Sequence, residues 1–134
     1  MLFRSSRFLS EDAGRGDSSY VRYDTSTAGH AIRWLRDEAP KYEDRPWTLF
    51  LGFVLPHFPL IAPPDYYDLY PDLPAPRMYD AAERPDHPVI SELARIQSYD
   101  KYFTPEKVQV ARQAYFGMVT YLDHCIGQIG RAHV

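Results

Sequence analysis

A chain of 134 residues with a formal net charge of −3 has room for one modest core and offers no electrostatic reason to bind nucleic acid or an anionic membrane. No apolar run reaches spanning length, and a single cysteine, Cys125, excludes an internal disulfide framework and a cysteine-based zinc site. Twelve prolines, most of them between 56 and 88, predict a long irregular surface segment.

Residues 1–24 are polar and rich in glycine and serine, which predicts a loop. Gly14-Arg15-Gly16 reads as a turn within it, since no strand precedes it to make a phosphate-binding loop. Asp24 or Thr25 is placed to cap a helix whose apolar stripe is Ala28, Ala31, Ile32, Leu35 and Ala39. Pro40 stops that helix. After a polar link, Trp47 to Leu55 is apolar almost without a break. Leu49, Leu51 and Phe53 alternate with Phe50, Gly52 and Val54, so neither face is polar. That pattern predicts a strand buried on both faces, as in a parallel sheet between helices. Helix, link and buried strand make half of an α/β unit.

Pro56-His57-Phe58-Pro59 ends the run, because proline cannot continue a central strand. His57 is thereby expected just past the carboxyl end of a buried strand, where open α/β sheets bind ligands. Histidine exchanges protons near neutrality, which makes His57 the leading catalytic candidate. Pro64 suits a first helical turn over 64–69, with Tyr66, Tyr67 and Leu69 packing inward. Tyr66, Tyr67 and Tyr70 serve either as packing or as an aromatic cage, whose faces attract quaternary ammonium groups.

Residues 71–103 read as loop with a short helix over 89–96. Asp86 and His87 alone are too few to hold a metal. Thr104-Pro105-Glu106 supplies a cap, a first-turn proline and a first-turn acid. Val108, Ala111, Tyr115, Met118, Val119, Leu122 and Ile126 then keep helical spacing, and Gly127 is expected to end the helix. Asp123, His124 and Cys125 are consecutive, so on a helix they face different ways and form no Cys-His dyad.

Residues 46–70, Pro-Trp-Thr-Leu-Phe-Leu-Gly-Phe-Val-Leu-Pro-His-Phe-Pro-Leu-Ile-Ala-Pro-Pro-Asp-Tyr-Tyr-Asp-Leu-Tyr, resemble the central segment of the sulfatases, in the alkaline-phosphatase-like superfamily. Residues 12–24, Glu83 to Pro88, and Arg112 to Gly127 are similar to further pieces of the family in the same order, most like its bacterial choline-sulfatase-like branch. The resemblance implies an α/β fold: a fragment of a sulfatase sandwich, mainly parallel sheet with flanking helices, contributing one buried strand and two main helices. It makes residues 1–128 the middle section of a catalytic domain. Residues 129–134 look instead like a translated sequencing adapter, a tail in which His133 carries no role. The implied activity is hydrolysis of a sulfate ester, with choline sulfate a candidate substrate. The histidine matching His57 contacts the sulfate and helps protonate the leaving oxygen.

Family members use a formylglycine nucleophile, made from the Cys or Ser of a Cys/Ser-x-Pro-x-Arg motif, beside a calcium ion. Cys125 is followed by Ile-Gly-Gln, so that motif is absent here, and no calcium ligands are expected within this chain. The chain alone is expected to be inactive. The resemblance also allows an oligomer in the full-length enzyme and slightly favours the cytoplasm. A phosphate or phosphonate monoester hydrolase of the same superfamily is the alternative reaction. A non-catalytic binding domain using the tyrosine-rich loop is the alternative class.

Overall fold

A computed structural model of the chain describes residues 6–77, 81–83 and 85–132. Six helices and one pair of short strands follow in the order α1 (Ser6–Glu11), β1 (Gly14–Arg15), α2 (Ser19–Asp37), β2 (Ile61–Ala62), α3 (Pro64–Tyr67), α4 (Pro88–Gln97), α5 (Tyr99–Tyr102) and α6 (Pro105–Ala132). Single 3-10 turns lie at Ala39–Tyr42 and Ala81–Glu83. The described residues are mostly helical, with a two-stranded parallel sheet, a composition compatible with part of an α/β fold. None of their helices is long and apolar enough to cross a membrane.

The amino-terminal segment is more ordered than its composition predicts, since α1 and β1 both form within the expected loop. Helix α2 also starts earlier than expected. Ser18, in an extended backbone conformation, accepts a hydrogen bond from Val21 N at 3.1 Å and so caps the helix. Asp24 therefore lies inside the helix rather than at its end. The predicted stripe is buried at Ala28, Ala31 and Leu35, and the helix stops before Pro40.

The largest correction concerns Trp47 to Leu55. The run is extended, but residues 49–53 donate no backbone hydrogen bond among the described residues, and the segment belongs to no sheet. Phe50 is 91% exposed, and only Leu55 is fully buried. A strand covered on both faces needs a neighbour on each edge and a helix layer on each side. The described residues supply neither. The sheet that does form pairs β1 with β2 in parallel, Gly14 opposite Ile61 and Arg15 opposite Ala62. Gly14 N donates to Leu60 O and Gly16 N to Ala62 O, each at 2.8 Å. Both strands come from segments whose composition reads as loop.

Helix α6 is the platform of the molecule. Thr104 caps it, its Oγ1 accepting from Lys107 N at 3.3 Å. The core gathers Val21 of α2, Leu55, Ala62 of β2, and Ala114 and Met118 of α6. Tyr20, Leu60, Tyr67, Tyr121 and Leu122 pack around it. At Gly117 the helix comes so close to β2 and α3 that an added Cβ would lie 2.9 Å from Ala62 Cβ and 3.0 Å from the Tyr66 carbonyl oxygen. Tyr115, Val119 and Ile126, expected on the buried stripe, are exposed. A helix apolar around much of its circumference suits the interior of a larger assembly. Gly127 does not end α6, which continues to Ala132; a glycine inside a helix costs only about 1 kcal/mol relative to alanine. His133 lies outside the described residues.

Around the proline-rich segment, α3 is shorter than expected and Leu69 is exposed rather than packed. Helix α4 covers the predicted 89–96 but buries none of its residues.

Two expectations follow. Gly117→Ala should destabilise the 134-residue chain by about 1–3 kcal/mol, because backbone and Ala62 must give way. Gly127→Ala, which meets only the flexible end of Arg131, should be neutral or stabilise by up to about 1 kcal/mol. Urea titrations followed by circular dichroism compare the two; equal effects would show that the close approach at Gly117 is absent. Separately, residues 49–53 donate no backbone hydrogen bond among the described residues and leave Phe50 exposed, which favours edge-to-edge association. Phe50→Lys should lower the sedimentation-detected self-association of the chain without changing its helical signal.

Candidate functional site

His57 sits in a tight turn between two prolines, with cis peptide bonds at Leu55–Pro56 and Phe58–Pro59. Its backbone N–H donates to Val54 O at 3.0 Å, closing the turn. Its ring packs against Phe58, with centroids 4.3 Å apart, and meets Tyr20 of α2 edge-on at 5.9 Å. Nδ1 lies 2.7 Å from Phe58 O. A carbonyl only accepts, so Nδ1 carries the proton in that bond. Nε2 is then the acceptor of the neutral ring, or a second donor in the imidazolium. The side chain is exposed and borders a groove of about 390 Å³. Phe8, Leu9, Tyr20 and Pro59 give that groove apolar walls, and Asp12 and Ser19 add polar groups.

What holds this turn is Asp24, which is 0% exposed. Its Oδ1 accepts from Val54 N and its Oδ2 from Leu55 N, both at 2.9 Å. Helix α2 thus contributes two residues to the neighbourhood of His57: Tyr20 against the ring and Asp24 under the turn. Neither stands out in the sequence as a site residue. Their spacing of four on one helix is the only signal that could have linked them.

The other candidates are dispersed. Tyr66 meets Tyr121 at 5.0 Å and His124 at 5.8 Å between centroids. Tyr67 packs against the core. Tyr70 shares a 2.6 Å hydrogen bond with Thr120 and lies against Phe116. The three tyrosines therefore have different neighbours. His87 caps α4, its Nδ1 accepting from Val89 N at 3.2 Å. His30 turns back to Ser26 O of its own helix. Asp123 and His124 are exposed while Cys125 is buried, so the consecutive residues diverge. Burial raises the Cys125 thiol above its ordinary range and, likewise, the phenols of Tyr66, Tyr67 and Tyr121. Among the described residues no three histidine, cysteine, aspartate or glutamate side chains converge in a way that could hold a metal ion. The donor set of a calcium site is therefore not found among them.

No protein-family model matches the chain. Among curated proteins, an arylsulfatase of Clostridium perfringens is 31% identical over 106 residues, covering 74% of this chain and 22% of that protein. A choline-sulfatase of Rhizobium meliloti is 30% identical over 120 residues, covering 84% of this chain and 23% of that protein. The chain belongs to the sulfatases. A sulfatase of Formosa agariphila, 27% identical over 137 residues, covers 95% of this sulfatase chain and 27% of its own length. The chain thus spans about a quarter of the length of the curated relatives it matches.

The raised Cys125 thiol and the raised phenols of Tyr66, Tyr67 and Tyr121 predict that the sulfatase chain loses stability in alkali. In the unfolded state Cys125 ionises near about pH 8.5 and the tyrosines near about 10. Their folded values are raised, so the native state holds these protons longer. Stability is then full below about pH 8 and falls as pH rises through the raised values. Urea midpoints should be level from pH 6 to 8 and decline above roughly pH 9. In Cys125→Ala the decline should begin about one unit higher, where only the tyrosines titrate. A midpoint that rises with alkali would contradict this.

Proposed function

We propose that the chain is a section of a sulfuric ester hydrolase in which His57 contacts the sulfate group and the leaving oxygen. The observation that carries this reading is the placement of His57 on an open groove with Nδ1 already committed to the Phe58 carbonyl. The remaining nitrogen, Nε2, is then the one free to meet a ligand. An alkoxide is a poor leaving group, so an imidazolium that donates Nε2–H to it lowers the barrier, an effect worth roughly 10²–10⁴ in rate. The same cation favours the sulfuryl oxygens as negative charge shifts during S–O cleavage.

The resemblance suggests choline sulfate as one substrate, and the name of the Rhizobium relative supports that choice. Tyr66, Tyr67 and Tyr70 are the sequence candidates for contact with its quaternary ammonium group, but their separate neighbours give no common cage, so the reading of the substrate does not rest on them. Calcium and formylglycine belong to the family's chemistry in the complete enzyme. The described residues do not fit a calcium ion, and Cys125 lies outside the Cys/Ser-x-Pro-x-Arg pattern, so neither group enters the chemistry assigned to this chain.

Two measurements test the reading. The purified 134-residue chain should not turn over p-nitrophenyl sulfate. In a complete enzyme carrying these residues, His57→Ala should lower kcat/KM for an aryl sulfate by roughly 10²–10⁴. Unchanged kcat/KM removes His57 from the reaction. Assaying phosphate and phosphonate monoesters beside the sulfate ester separates the sulfatase reading from its superfamily alternative; a preference for either phosphorus ester would overturn the substrate class.

A further inference from the structure

We infer that Asp24 is a positioning residue for His57, a role that rests on the sulfatase reading of His57 given above. Three observations converge on it. The Asp24 side chain is fully buried although it is a carboxylate in the interior of a helix. Burial of such a group is expensive unless hydrogen bonds compensate it. Both of its oxygens accept a backbone N–H, from Val54 and from Leu55. Those two residues belong to the turn itself: Val54 O accepts the His57 N–H, and Leu55 packs into the core.

The chain of contacts is therefore continuous. Helix α2 holds the carboxylate, the carboxylate holds two consecutive N–H groups, and the next backbone hydrogen bond fixes His57. One helical turn earlier, Tyr20 sets its ring against the imidazole. The same helix thus orients the histidine from below through Asp24 and from the side through Tyr20. The residues before the turn have no sheet to hold them: 49–53 donate no backbone hydrogen bond among the described residues. Without Asp24, the apolar run would meet the proline turn with its last two N–H groups unpaired. A neutral amide at position 24 could accept one of them, while its NH2 would face the other donor.

The test begins with the native 134-residue chain. Amide hydrogen exchange should protect Val54 and Leu55 N–H well beyond those of Leu51 and Phe53. Equal exchange at all four would overturn the inference without any substitution. In Asp24→Asn, the ¹⁵N signals of the His57 ring should move from the Nδ1–H form toward the mixture of an unconstrained imidazole, with the signals of His30 and His124 in place. Thr25→Val is the control, because Thr25 is the next residue of the helix and its hydroxyl pairs with Tyr121. It should leave the His57 signals unmoved. A folded Asp24→Asn chain with His57 unmoved overturns the inference, and if that variant does not fold, the exchange measurement decides.

In a complete enzyme, Asp24→Asn should lower kcat by roughly 10–10²-fold, the penalty of a misplaced reacting group, with KM within about twofold. A variant that only loosened the fold would lower the active fraction and leave the His57 ring signals of the folded fraction unchanged. If His57→Ala leaves turnover intact, the sulfatase role of His57 falls, while the exchange and ring signals still decide whether Asp24 holds the turn.

Discussion

The Asp24 carboxylate, buried and bonded to the N–H groups of Val54 and Leu55, is the constraint on which the His57 turn depends. It joins the longest element of the amino-terminal half to the end of an apolar segment that lies in no sheet among the described residues. Each of those N–H groups, buried without an acceptor, would cost about 1–3 kcal/mol. A carboxylate satisfies both with one side chain, and charge-assisted bonds are stronger than neutral ones. The turn that bears His57 follows directly. Its geometry is thus set by a tertiary contact and by prolines, rather than by a sheet.

Packing completes the frame. Helix α6 lies across α2, β2 and α3, and its small residues Ala114 and Gly117 let it approach closely. Met118 and Val21 fill the space between helices, and Leu55 carries the end of the apolar run into the same core. The parallel pair β1–β2 is only two residues long on each side, but it sits against α6 and fixes where α3 begins. Arg15 and Asp68 tie β1 to the end of α3 with an ion pair at 3.0 Å, a link worth little at such exposed positions. Burial around α6, not surface charge, holds these elements together.

Much apolar surface is left uncovered. Phe50, the face of α4 and one side of α6 are all exposed. A protein about four times as long, as the relatives are, has the chain with which to cover such faces. Among the described residues no segments cover both faces of residues 49–53, and the strand pattern of Trp47 to Leu55 produces no sheet here. Its two apolar faces describe an environment, and that environment must be built by other segments.

Local sequence by itself determined α2, α4 and α6 in outline, together with the helix ends that a proline or a correctly placed cap marks. Thr104-Pro105 opens α6, Pro64 opens α3 and Pro40 follows the end of α2, because caps and proline sterics act within one turn of the chain. It also determined the Pro-His-Phe-Pro turn and, through the pattern of residues 46–70, the family. Only the tertiary structure decided that β1 and β2 pair, that Ser18 rather than Asp24 caps α2, and that Asp24 instead reaches a turn thirty residues further on. The reason is physical. A cap or a proline is read from its neighbours, whereas a buried carboxylate takes whichever donors the packing of two distant segments brings to it.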